Sequence, residues 1–269
     1  MPIPGGFFTA PTVTVTALSA PSPGVQVTVT LPAAGTTTVT VYRTDGTGQR
    51  VIVRGASKAV IAGAFTVADF EAPFGQTLTY TAVTYDPAGV ASDESAGAAI
   101  IVGSATSWLT DPLAPDNAAP VRLRTPPDET LEIDRDIMTP VGSALGIQVS
   151  GTRSQGSYSL TLTAENATVR NTIRAVLRAA PVVLLRVPDP TWDLPAAFLG
   201  VGTIVMRRIG RIGEGARYID LEATIVARPA PELAGPLYTY ADMTGTGKSY
   251  TQLTATGRTY LQLVQQGAS

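Results

Sequence analysis

Along most of the chain, apolar and polar residues alternate with a period of two. Val25, Val27, Val29 and Leu31 are interleaved with Gln26, Thr28 and Thr30, the pattern of a strand with one buried and one solvated face. The same reading predicts strands over 12–17, 25–31, 37–43, 49–54, 64–67, 77–85 and 98–102, with turn chemistry at Asp45-Gly46 and Pro87-Ala88-Gly89. Seven short strands in so short a stretch predict a two-sheet sandwich. The period changes once. Val169, Ile173, Val176, Leu177 and Ala180 fall on one stripe of a 3.6-residue helix. Asn166 is placed to cap its first turn, and Pro181 disfavours helical geometry at Ala180, so the helix is predicted over 166–180.

Between these regions, 103–120 is rich in Pro and Asp and shows no periodicity. It reads as an ordered extended linker over 104–120, with Trp108 either packed on a neighbouring domain or serving as a ligand platform. Further strands are predicted at 121–124, 130–133, 147–151, 158–163, 182–187, 196–208 and 217–228. Long strands around a single helix favour a barrel or curved sandwich, with the helix plugging an edge or opening. On the helix flank, Arg170, Arg174 and Arg178 form a second stripe at i, i+4 and i+8. It is either a solvated face paired with nearby carboxylates or an ion-pair face between subunits, for which the planar guanidinium is suited.

Composition narrows the chemistry. The chain has 269 residues, a hydrophobic fraction of 44%, 15% charged residues and a net charge of -2, which describes a folded protein with no global pull toward nucleic acid or acidic membranes. Cys and His are both absent, which removes thiol nucleophiles, disulfides, Cys/His zinc sites and imidazole-based catalysis. No catalytic, cofactor or metal residues are assigned. No apolar run reaches bilayer-spanning length, and 1–20 lacks the layout of a secretory signal. Low charge with abundant Thr, Val, Gly and Pro suits a protein working outside cells. A virion component, made in the host cytoplasm and released by lysis, reconciles that composition with the missing export signal.

The clearest motif is terminal. Residues 239–248, 249–258 and 259–268 are three copies of a ten-residue unit, in which Tyr240, Tyr250 and Tyr260 recur, followed by Met243, Leu253 and Leu263, then Gly247, Gly257 and Gly267. Tyr and Leu at i and i+3 share one face of a helical turn that Gly is placed to end. So short a unit cannot bury its own apolar side chains, so the repeats are expected to dock on one another, on the second domain or on another protein.

Two resemblances follow. Pro73-Phe74-Gly75-Gln76-Thr77-Leu78-Thr79-Tyr80-Thr81-Ala82-Val83-Thr84-Tyr85-Asp86-Pro87-Ala88-Gly89-Val90-Ala91-Ser92 resembles the stretch of a fibronectin type III module that runs from its Pro-Gly corner through the tyrosine-bearing strand. That likeness implies an immunoglobulin-like sandwich over 1–103, with Tyr80 as the corner tyrosine bonding to upstream backbone. The family's core Trp in the second strand is missing, and Val and Leu stand there. Trp108-Leu109-Thr110-Asp111-Pro112, Gly151-Thr152-Arg153 leading into Leu160-Thr161-Leu162-Thr163, the helix, Leu184-Leu185-Arg186-Val187-Pro188, the 207–228 hairpin and the terminal repeats resemble minor tail proteins of actinobacteriophages and the distal-tail and tail-tube type.

The expectation is therefore an all-β chain: a fibronectin-like sandwich (1–103), a linker (104–120), a β-barrel or sandwich domain with one packed α-helix (121–231) and a C-terminal repeat arm (232–269). The second resemblance implies a structural virion protein of a phage tail or baseplate. Its partners would be itself, in a ring of three- or six-fold symmetry, and other tail proteins. The alternative is an extracellular carbohydrate or cell-surface binding module using Trp108 or Trp192. An enzyme ranks last, because two Trp residues give little material for an aromatic-lined glycosidase cleft. Gly245-Thr246-Gly247-Lys248-Ser249 evokes a phosphate-binding loop, but Asp242 stands where the first Gly is required, and the repeat explains the match. Asp128, Glu129, Glu132, Asp134 and Asp136 lack the Gly of a calcium loop and read as a solvated acidic hairpin. Asn166-Ala167-Thr168 fits a glycosylation sequon, but Asn166 is needed as a cap.

Overall fold

The computed structural model describes residues 9–30, 35–61, 63–125, 129–130, 133–138, 147–153, 156–188, 196–209 and 215–231. They are mostly strand, with one helix, and divide into two compact units. The first holds the chain up to Gly103, Pro112–Asp116 and the described residues from Pro229 on. The second holds Ser104–Asp111 and Asn117–Arg228.

The first unit contains β1 (Thr12–Leu18), β2 (Gly24–Thr30), β3 (Thr38–Thr44), β4 (Arg50–Ile52), β5 (Ala59–Val60), β6 (Phe65–Asp69), β7 (Thr77–Tyr85) and β8 (Ala98–Ile101). One sheet has the order β1-β2-β6. The other runs β4-β3-β7-β8, with β5 also on β3, and every pairing is antiparallel. Strand β1 lies against β7 and β8, so the sheets face each other. Alternation decides what is buried between them: Val25, Val27 and Val29 of β2, Val39 and Val41 of β3, and Leu78, Tyr80 and Ala82 of β7. Both expected turns are present. Asp45 Oδ1 accepts from the amides of Thr47 and Gln49, and Asp86 Oδ1 accepts from the Val90 amide, with Gly89 at φ 81 completing that reversal. Two-residue β5 is too short to leave a periodic trace and was not expected.

The second unit contains β9 (Ser107–Thr110), β10 (Ala118–Leu123), β11 (Glu129–Thr130), β12 (Ile133–Met138), β13 (Ile147–Arg153), β14 (Ser157–Ala164), α1 (Ala167–Ala179), β15 (Val182–Arg186), β16 (Ala197–Arg208) and β17 (Arg217–Ile225). Its main sheet has the order β10-β9-β15-β16-β17-β14-β11, and β10 also pairs with β14. The order therefore returns on itself through β9, β10, β14, β17, β16 and β15. Strands β12 and β13 form a separate hairpin, so the single strand expected over 130–133 is instead two strands, β11 and the start of β12.

The linker expected over 104–120 is not a linker. Its ends are β9 and the start of β10, and Leu109 is 1% exposed between neighbours on both sides. The Pro and Asp content belongs to the reversal between them, where the Asp111 amide donates to the Asn117 carbonyl at 3.0 Å. Pro120 is tolerated within β10 because it faces a partner, Trp108, on one side only. β14 joins β10 further on, at Arg122 and Leu123.

Helix α1 forms where its stripe predicts. The Asn166 side chain accepts from the Val169 amide at 2.9 Å, Ala180 is the C-cap, and Ile173, Val176 and Leu177 are buried. They join one apolar cluster with Leu109, Val121, Leu160, Leu162, Leu185, Leu199, Ile219 and Leu221. Asn166→Ala is expected to cost the second unit about 1 kcal/mol, while Asn166→Asp keeps the cap. Urea unfolding followed by tryptophan fluorescence measures it.

Candidate interaction surfaces

Three sets of residues were singled out by the sequence. The repeat residues Tyr240, Met243, Tyr250, Leu253, Tyr260 and Leu263, like Trp192 and the Gly-Lys-Ser stretch, lie outside the described residues. The arginine stripe and Trp108 are both in the second unit.

Arg174 and Arg178 are exposed on α1, and Arg170 is half-buried. Arg170 donates from Nε and Nη2 to Asn171 Oδ1 at 3.3 and 3.2 Å. The ion pairs among the described residues involve none of the three. Pairing with nearby carboxylates is therefore not seen among them, and Arg174 and Arg178 present charge outward. Trp108 is half-buried in β9, opposite Pro120 and Arg186, and its Nε1 donates to Ser104 Oγ at 3.1 Å. Its indole is held within its own unit.

The second unit has a cavity that its sequence did not point to. It has a volume of about 540 Å³ and opens between the end of β10 and the first turn of α1, with Thr106, Ser107, Arg122, Glu165, Val169 and Val187 on its walls. Arg122 Nη1 meets Glu165 Oε1 at 3.2 Å, both side chains well exposed. A smaller pocket adjoins it, where the Arg124 guanidinium lies 4.6 Å from the centre of the Tyr218 ring. Beyond this, Asp220 accepts from Arg207 and from Thr161 Oγ1, and the Arg207 bond holds its carboxyl below the ordinary range. Among the described residues no aromatic side chain lines this cavity.

The first unit holds a polar cluster that sequence reasoning also missed. Asp69 Oδ2 accepts from Arg43 Nη1 at 2.7 Å and from the Tyr80 hydroxyl at 2.9 Å, and Oδ1 accepts from the Glu71 amide at 2.9 Å. Tyr80 thus bonds to a side chain, not to upstream backbone as the resemblance implied. A buried carboxylate at the end of β6 is a stronger acceptor than a neutral carbonyl. Burial alone would push the Asp69 carboxyl up, but the Arg43 charge and the three donors hold it below the ordinary value. Burial and the Asp69 charge push the Tyr80 hydroxyl far up, so it stays a donor. Nearby, Arg54 Nε meets Glu71 Oε1 at 2.6 Å.

Among the described residues no three His, Cys, Asp or Glu side chains are grouped to hold a metal ion, and no helix is long and apolar enough to cross a membrane. No protein-family model, curated protein or solved structure matches the chain.

Proposed function

We propose that the chain is a structural virion protein of a phage tail, a minor tail, distal-tail or baseplate subunit that assembles through protein–protein contacts with itself and with other tail proteins. The observation that carries the reading is the threefold repeat at 239–268, whose Tyr240, Tyr250 and Tyr260 and the paired Met243, Leu253 and Leu263 require cover that ten residues cannot provide. The fold supports it. Facing sheets of order β1-β2-β6 and β4-β3-β7-β8 suit a fibronectin-like module, and the returning strand order of the second unit suits a small barrel packed by one helix. The outward charge of Arg174 and Arg178, with no described carboxylate in reach, suits an ion-pair face between copies.

The test is the assembly state of the purified full chain by sedimentation velocity. The expected result is a ring-sized species of three or six copies that falls to monomer when Arg170, Arg174 and Arg178 are all changed to Glu. A wild-type chain that stays monomeric at every concentration, with no binding to other tail components, overturns the reading.

A further inference from the structure

After Gly103 the chain belongs to the first unit again over Pro112–Asp116 and from Pro229 on. From Pro229, three consecutive carbonyls are held. Arg54 Nη2 donates to the Pro229 carbonyl at 2.9 Å, Arg54 Nη1 to the Ala230 carbonyl at 2.7 Å, and the Gly55 amide to the Pro231 carbonyl at 3.1 Å. The third edge of the guanidinium is fixed by Glu71, with side-chain exposures of 9% for Arg54 and 5% for Glu71. Gly55 lies at φ 76, a left-handed conformation that strains any side chain. The loop carrying both donors is itself anchored, since the Val53 amide donates to the Val41 carbonyl and the Val41 amide to the Ala56 carbonyl. The Glu71 amide in turn donates to Asp69, so the clamp is continuous with the buried Arg43-Asp69-Tyr80 cluster.

We propose that Arg54, Gly55 and Glu71 form a main-chain-reading cradle for an extended, proline-flanked peptide, filled by the chain's own Pro229-Ala230-Pro231, which latches the returning chain to the first unit. The ligand class follows from the contacts. All three bonds go to carbonyl oxygens and none to a side chain, and Pro229 and Pro231 bring no amide hydrogen that would need a partner of its own. A guanidinium whose Nε is committed to a carboxylate still has the N–H groups of both Nη atoms, and here Nη2 and Nη1 take the carbonyls of Pro229 and Ala230 separately; a lysine, with one nitrogen, cannot reproduce that fork. The cradle stands on these contacts alone and does not depend on the tail assignment.

The test compares the full chain with chains ending at 228 and at 232, by hydrogen exchange at the Gly55 amide with Val41 and Val53 as controls for an intact body. The chain ending at 232 is expected to match the full chain. The chain ending at 228 exchanges at Gly55 about tenfold faster or more. A synthetic peptide of residues 227–232 at millimolar concentration restores slow exchange to it. In the full chain, Arg54→Lys also exposes Gly55, because charge is kept but the fork is lost. Equal Gly55 exchange in the chains ending at 228 and 232 overturns the latch, as does failure of the peptide to restore protection while Val41 and Val53 stay protected. The truncation pair leaves Arg54 in place, so the test holds even where an Arg54 variant does not fold.

Discussion

Asp69→Ala is expected to remove about 3–5 kcal/mol from the stability of the first unit, because it leaves a buried arginine without its counter-charge. Arg43 and Asp69 have side-chain exposures of 10% and 1%, so water cannot replace the lost carboxylate without opening the sandwich. The Tyr80 hydroxyl and the Glu71 amide lose their acceptor at the same time. The loss comes from breaking the pair, not from any large net value of the pair. Two ions taken out of water recover their desolvation only when every donor is used, and Arg43 Nε has no acceptor. Arg43→Met combined with Asp69→Leu should therefore lose less than Asp69→Ala alone. Calorimetry of the first unit's transition, with hydrogen exchange along β7, measures both; a double variant as damaged as the single one would contradict this account. The pH dependence has a fixed sign. The folded carboxyl lies below the unfolded value of about 3.9, so its contribution is complete above that pH and is lost as pH falls through the folded value. Asp69→Asn should flatten this acid limb and leave neutral-to-alkaline behaviour unchanged in shape.

How much of this could be read from the sequence depends on how local each cause is. Strand β7 was legible to the residue because nine residues alternate without interruption, and α1 was legible because a cap, a stripe and a proline agree on its ends. Strand β9 was not, since four residues beside a Pro-rich reversal carry no period, and what makes it a strand is pairing with β15, far along the chain. The buried cluster did leave a signal. Arg43 follows Val39 and Val41 in phase on β3, which puts a charge on the face that two buried valines define and demands a buried partner. Nothing local names Asp69 as that partner, because β6 reaches the other sheet. The Arg54 clamp had no legible signal at all: its acceptors lie 175 and 176 residues away and are main-chain oxygens that any sequence would provide.

Ile173→Ala is the second substitution with a large expected effect, about 2–5 kcal/mol from the second unit. Ile173 is fully buried, with Val176 and Leu177 beside it, in the cluster that fills the ring of strands. Alanine is the better helix former by a few tenths of a kcal/mol, so intrinsic propensity works against the expected loss, and any loss measured is packing. A helix of 13 residues is marginal on its own, so α1 persists through the face it buries. That face lies on β10, β14 and β9. The β10–β14 seam is the shortest closure in the ring, formed over Arg122 and Leu123 and extended by the Arg124 amide donating to the Thr161 carbonyl at 3.0 Å. Few hydrogen bonds hold those two strands, so the helix across them carries much of the closure. Ile173→Ala should therefore speed hydrogen exchange at Arg124 before it affects β14–β17, whose register is continuous from Ser157 to Ala164. Arg174→Ala, one residue on and facing solvent, should change stability by no more than about 0.5 kcal/mol. Exchange that rises equally in both seams, or an Arg174 variant as unstable as the Ile173 one, would show that the helix does not close the ring.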